Sequence, residues 1–219
     1  VDVIYFDNHI LVVNKPAGLA TQPSVDTKDS LEEQAKLWVK RQFLKPQGVF
    51  LHAVHRIDKP VSGLVLFART SKALSRLNDA MREKKMQKKY LAVVEGSMGI
   101  DRATLEHYLI HGERRALLAD VNKKDAKLCR LHFSVLQKEQ DYTFVEIDLE
   151  TGRYHQIRAQ MSLIGHPIAG DLKYGARTSP LGEKKITLHQ AEMSFPHPIT
   201  RERIAFTATL PWQFSSVIH

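Results

Sequence analysis

Apolar positions along this chain change period from segment to segment, and each change marks an element. Val1–Phe6 and Ile10–Val13 flank Asp7-Asn8, which predicts an opening hairpin. Asn14-Lys15-Pro16-Ala17-Gly18 then stops the strand with turn formers. Ser30 with Glu33 three residues later reads as a capping box. Leu31, Ala35 and Trp38 follow at helical spacing, which predicts a helix to about Leu44. The unbroken apolar run Leu64–Ala68 predicts a buried strand. Ser71 is expected to cap a second helix with Leu74, Leu77 and Met81 on one face, and strands are expected over Lys88–Glu95 and Thr104–Ile110. Residues 111–128 are polar, charged and aperiodic, which predicts an exposed insertion or flexible loop. Leu131, Phe133 and Val135, then Val145, Ile147 and Leu149, alternate as half-buried antiparallel strands do. After the Thr151-Gly152 turn a short helix is expected over His155–Ile164, closed by Gly165. Ile157, Met161 and Ile164 are its apolar stripe, while His155, Arg158 and Ser162 share a different face. Ile204, Phe206, Ala208 and Leu210 make a last alternating strand. The predicted class is α+β: a largely antiparallel mixed central sheet flanked by a few helices.

Composition narrows the classes. The chain has 219 residues, 43% hydrophobic and 26% charged, enough for a real core. No apolar run approaches the ~20 residues that cross a bilayer, so no membrane partner is expected. Cys129 is the one cysteine, which allows no internal disulfide and suits a reducing, cytoplasmic setting. The 11 histidines show no His-Glu-x-x-His spacing and there is no Cys-x-x-Cys, so no metal is expected. A net charge of +8 fits a nucleic-acid binder, and equally one of the many basic proteins that bind none. The charge is clustered: Arg82, Lys84, Lys85, Lys88 and Lys89 crowd together against Glu83 alone, and phosphate contact is expected there.

The candidate chemistry lies in His55-Arg56-Ile57-Asp58-Lys59-Pro60-Val61-Ser62-Gly63-Leu64. Pro60 fixes its own φ and disfavours helix at Lys59, so Asp58 sits on a stiff loop before the buried strand. A carboxylate held in that way is placed as catalytic acids often are. Alone, the segment reads first as a turn aspartate bonded to its own backbone.

Four further segments change that reading. They are Asn14-Lys15-Pro16-Ala17-Gly18-Leu19, Lys88-Lys89-Tyr90, Thr151-Gly152-Arg153-Tyr154-His155-Gln156-Ile157-Arg158, and His166-Pro167-Ile168-Ala169-Gly170-Asp171 with Tyr174-Gly175 beyond. With the Asp58 loop, in this order and spacing, they resemble the RluA-like pseudouridine synthases over nearly the whole chain. The resemblance implies the pseudouridine synthase fold with a basic active-site cleft. It also implies isomerisation of particular uridines in structured RNA, without metal or organic cofactor. The family's invariant aspartate falls on Asp58, its active-site tyrosine on Tyr90 and its buried arginine on Arg158. The arginine taken to fill the gap left by a flipped base falls on Arg56, and the aliphatic residue near the uracil on Ile157. Two loop positions depart from the family pattern: Ile57 stands where leucine is usual, and Val61 where threonine is usual.

The residue types suit that task. Extruding a base costs a few kcal/mol. A guanidinium plane such as Arg56 can replace the lost stacking, and Tyr90 offers the extruded uracil an aromatic platform. Burial alone would raise the Asp58 pKa, and a nearby Arg158 would lower it and restore the carboxylate. Asp58 is then expected to act as nucleophile or base. The expected routes are attack on uracil C6, attack on the anomeric carbon, or proton removal from the ribose to a glycal. Three residues keep two readings each. Lys15 touches phosphate or shapes its turn, Arg153 contacts phosphate or holds its turn, and His189 lines the base pocket or is structural. The expected partner is ribosomal RNA, or else transfer RNA, with a monomer as the default state. Residues 1–219 are expected to form one catalytic domain with no separate N-terminal RNA-binding domain. The rival reading is a non-catalytic RNA-binding module or chaperone on the same fold.

Overall fold

The opening hairpin forms around Asp7, whose Oδ1 accepts the His9 and Ile10 N–H groups at 2.7 and 2.8 Å and so fixes the turn. In the computed structural model, which describes residues 1–25, 28–42 and 48–218, β1 (Asp2–Phe6) and β2 (Ile10–Lys15) flank that turn. Helix α1 (Leu31–Gln42) and strands β3 (His52–Ala53) and β4 (Ser62–Ala68) follow, then helix α2 (Ser71–Arg82). Next come β5 (Gln87–Glu95), β6 (Arg102–His111), β7 (Ala116–Leu118), β8 (Lys127–Lys138) and β9 (Tyr142–Leu149). Helix α3 (Gln156–Leu163), strands β10 (Leu188–Pro196) and β11 (Arg203–Thr207), and the short helix α4 (Phe214–Val217) complete the chain. The class is the α+β arrangement that the alternation predicted.

The chain divides into two compact units, one of Val1–Gln87 with Gln190–Leu210, the other of Lys88–His189 with Pro211–His219. In the first unit, β2 pairs antiparallel with β1 on one side and with β4 on the other. Strand β3 also pairs with β4, and β11 pairs antiparallel with β10. Every residue of β4 is buried, as its unbroken apolar run requires. Leu64 and Leu66 of β4 share a core with Ile10, Val12, Leu77, Met193 and Phe195. In the second unit β5, β9, β8, β6 and β7 follow one another as antiparallel neighbours. Helix α3 packs on β6 and β7, with Ala159 beside Leu109, Ala116, Cys129 and Tyr174.

Some expectations shift. Ser30 does cap α1, its hydroxyl accepting the Glu33 N–H at 3.3 Å, but the helix end expected at Leu44 lies outside the described residues. The cap of α2 is Thr70 rather than Ser71, since its hydroxyl accepts the Ala73 N–H. The buried face of α2 is Ala73, Leu77 and Ala80, while Met81 is exposed. Residues 111–128 are mostly exposed, as expected, but they are not a plain loop. They turn back as a hairpin, with β7 paired to the end of β6 and His111 opposite Ala116. Helix α3 is no half-exposed amphipathic helix either: Gln156–Met161 are all buried, so the apolar stripe has no solvent face opposite it.

Candidate active site

In the first unit, the Asp58 loop is tied to the Asn14–Leu19 turn. The Gly18 N–H donates to the Lys59 carbonyl at 2.7 Å, and the Val61 N–H closes a turn on the Asp58 carbonyl at 3.0 Å. The Thr21 hydroxyl donates to the Ile57 carbonyl at 2.8 Å and accepts its N–H at 3.3 Å. Buried His55 accepts the Leu66 N–H on Nε2, pinning the start of the loop to β4. Gly63 has φ +119°, and a Cβ there would stand 2.3 Å from the Gln190 carbonyl oxygen, so the position accepts glycine alone. On this framework Asp58 is half-buried and Arg56 is exposed.

Lys15 ends β2 opposite Gly63 and is 0% exposed. Its ammonium donates to the carbonyls of Leu19 at 2.7 Å, Pro16 at 3.0 Å and Lys59 at 3.3 Å. Burial pushes its pKa down to about 7 against the upward pull of the Asp58 carboxylate. Lys15 therefore shapes the turn and places a cation near Asp58. Of the two readings kept for Lys15, burial favours the turn over phosphate contact, because the ammonium has no surface to offer.

In the second unit Tyr90 is buried in β5 opposite Ile147. Segment 166–171 runs along β5: the Ala169 N–H donates to the Val93 carbonyl at 2.9 Å and the Glu95 N–H to the Pro167 carbonyl at 2.9 Å. That segment delivers Asp171 to Arg158. The guanidinium donates from Nε to Oδ2 at 2.6 Å and from Nη2 to Oδ1 at 2.9 Å, with both residues buried. The Arg158 guanidinium carbon lies 5.1 Å from the centroid of the Tyr174 ring. The Tyr174 oxygen accepts the Ala116 N–H at 2.7 Å and meets His155 Nδ1 at 3.0 Å. Burial raises its pKa to about 12, so it stays a phenol. Helix α3 is itself stapled. Gln156 Nε2 donates to the Arg130 carbonyl at 3.1 Å, and Gln160 Nε2 to the carbonyls of Leu105 and Cys129 at 3.1 and 3.2 Å.

Asp58, Arg56 and Lys15 thus belong to the first unit, and Tyr90, Arg158 and buried Ile157 to the second. The sequence reading assigned no role to Asp171 or Tyr174, although both lie in its fifth segment. A buried arginine needs an acid, and Asp171 is the acid in that segment.

Of the basic run, Arg82 is paired with Asp79, Lys85 with Glu83 at 2.5 Å, and Lys89 with Glu146 at 3.0 Å. Lys84 is exposed, and Lys88 is half-buried, with burial pushing its pKa down to about 8. Arg153 is exposed in the turn before α3, and its N–H donates to Gln156 Oε1 at 3.0 Å. His189 is fully buried.

The sequence signature of the family described as RNA pseudouridylate synthase matches residues 9–163. The chain is similar to a Bacillus subtilis (strain 168) protein called uncharacterized RNA pseudouridine synthase YlyB, 36% identical over 99% of this chain and 71% of that protein. It is also similar to ribosomal large subunit pseudouridine synthase C of Vibrio cholerae serotype O1, 34% identical over 95% of this chain and 65% of that one. The chain spans about two thirds of the length of these relatives. The solved structure of human RNA pseudouridylate synthase domain containing 4 has the same fold, with a TM-score of 0.82 at 19% identity over 100% of this chain and 92% of that one.

Proposed function

Because the chain belongs to the RNA pseudouridylate synthase family, we propose that it is an isomerase converting specific uridines of structured RNA to pseudouridine. Ribosomal RNA is the favoured substrate, on the name of the Vibrio relative. Transfer RNA is the other candidate. The observation that carries the reading is the Asp58 loop, a carboxylate on a backbone fixed by Gly18, Thr21 and Lys15 beside a buried cation.

The reaction breaks the bond from ribose C1′ to uracil N1, rotates the base, and joins C1′ to C5. The C5 proton leaves and N1 takes one up, so nothing is oxidised or reduced. Asp58 acts as nucleophile or base in each of the routes open to it. Tyr90 is the platform for the uracil, with Ile157 and His189 in its surroundings, and Arg158 supplies positive charge. Arg56, being exposed, is available to fill the stack the uridine leaves. Arg82, Lys84, Lys85, Lys88, Lys89 and Arg153 engage phosphates. The protein works in the cytoplasm as a monomer and without metal or organic cofactor.

The test is deletion of the gene followed by chemical mapping of pseudouridine across all cellular RNA. One or a few uridines should lose the modification, and wild-type protein should restore them where Asp58→Asn does not. An unchanged map, together with wild-type protein that binds RNA but modifies none, would instead leave an RNA-binding module.

A further inference from the structure

The second unit carries a pile of three rings that the catalytic roles above do not use. The His155 and Tyr154 rings lie 3.8 Å apart at 18°, and the Tyr154 and His111 rings 4.0 Å apart at 29°. Two rings stacked that closely on one ring occupy its opposite faces, so Tyr154 is the middle layer. The inner end is anchored: His155 Nδ1 meets the Tyr174 oxygen at 3.0 Å, and the Tyr174 ring lies beside Arg158. The outer end is His111, exposed at the end of β6, with Tyr154 as its ring partner among the described residues.

Three exposed arginines adjoin the pile along the chain. The Gly112 N–H donates to the Arg115 carbonyl at 3.0 Å, closing a short tip that presents exposed Arg114 and Arg115. The Tyr154 hydroxyl reaches the Arg114 carbonyl at 3.5 Å, so tip and pile are neighbours. Exposed Arg153 precedes Tyr154. Among the described residues none of these three arginines has a carboxylate partner, whereas Arg82, Arg130 and Arg158 each have one. An exposed ring close in the chain to exposed arginines that have no carboxylate partner among the described residues matches a nucleotide, which offers a flat base and an anionic phosphate together.

We propose that the outer face of His111 stacks a base of the RNA near the target uridine, with Arg114, Arg115 and Arg153 on the adjoining phosphates. This rests on the reading of the protein as an RNA isomerase and adds to it a second, non-catalytic recognition point. Stacking tolerates any base, so the platform fixes the position of the strand, and sequence choice comes from elsewhere.

The probe is a short single-stranded oligouridylate carrying one 2-aminopurine, titrated with the full chain. Stacking should quench the 2-aminopurine emission. His111→Ala should remove the quench and weaken binding about tenfold, as loss of one stacked base does. His111→Phe should restore both. Arg114→Gln with Arg115→Gln should lower the slope of log affinity against log salt by about two while the quench persists at low salt. With ribosomal RNA as substrate, His111→Ala should raise KM and leave kcat unchanged. Affinity, quench and KM that His111→Ala leaves at wild-type values overturn the proposal. Wild-type protein that quenches the probe through His111 yet forms no pseudouridine on any RNA overturns the isomerase reading alone.

Discussion

Arg158 and Asp171 meet as a two-pronged ion pair, 2.6 and 2.9 Å between donors and acceptors, with side chains 5% and 1% exposed. Such a pair restricts the guanidinium to one orientation through two charge-assisted bonds. Asp171→Asn weakens both and is expected to cost about 1.5–3 kcal/mol in denaturant unfolding. In protein still folded, it should lower kcat for pseudouridine formation more than it raises KM. Arg158→Lys keeps the charge but loses the fork, and should fall between Asp171→Asn and wild type in both measurements.

Asp58 stands on a loop held by main-chain bonds from Gly18 and Val61 and by the Thr21 hydroxyl, none of which uses the carboxylate. Asp58→Asn should leave those main-chain and hydroxyl bonds of the loop in place. It should abolish product formation while RNA affinity at fixed salt stays within about threefold, a change of under 1 kcal/mol. A large loss of affinity would assign the carboxylate to RNA binding instead of chemistry.

Legibility followed the range of the forces involved. The β2 and β4 strands and the N-cap at Ser30 depend on neighbours in sequence, and the hydrophobic pattern reports them. The burial of Lys15 was not legible, because its carbonyl partners include Lys59, distant in sequence and brought close by the β2–β4 pairing. The hairpin at His111–Ala116 was missed because its strand β7 is three residues long, too short for any period to register. Helix α3 was legible in its apolar stripe and in the family's buried arginine at Arg158, whereas the burial of Gln156 and Gln160 was not, because each bonds a carbonyl far along the chain. The family segments singled out Asp58, Tyr90 and Arg158 as candidates, while the Asp171 pairing required coordinates.

The basic run at the end of α2 is partly neutralised, since Arg82 and Lys85 each hold a carboxylate at the surface. Exposed pairs of this kind contribute about 0–1 kcal/mol and open readily to a phosphate. Arg82→Gln with Lys85→Gln should leave stability nearly unchanged and reduce the salt slope of RNA binding by up to about two. An unaltered slope would remove this run from the RNA footprint.

Gly63 sits at φ +119°, with the Gln190 backbone 2.3 Å from where a Cβ would be. Gly63→Ala combines a disfavoured backbone with a collision against main chain, which no side-chain rotation relieves. The expected loss is at least about 2 kcal/mol in denaturant unfolding. Because Gly63 follows the Asp58 loop directly, activity should fall even at temperatures where the variant remains folded.

Lys15 gives the chain a distinctive pH response. Its folded pKa of about 7 lies below the ordinary lysine value of 10.5, which the unfolded chain adopts. Between those two values the unfolded state binds more protons than the folded state, so this group makes stability rise with pH from about 7 to about 10.5. Below pH 7 both states are protonated and the contribution is flat. Lys15→Met also removes three hydrogen bonds to carbonyls, so it should be less stable at every pH. What identifies the titration is the difference in slope: wild type minus Lys15→Met should grow more favourable between pH 7 and 10 in urea unfolding. A difference independent of pH would mean that the three carbonyls hold the ammonium charged throughout, and that Asp58 keeps its neighbouring cation well above neutrality.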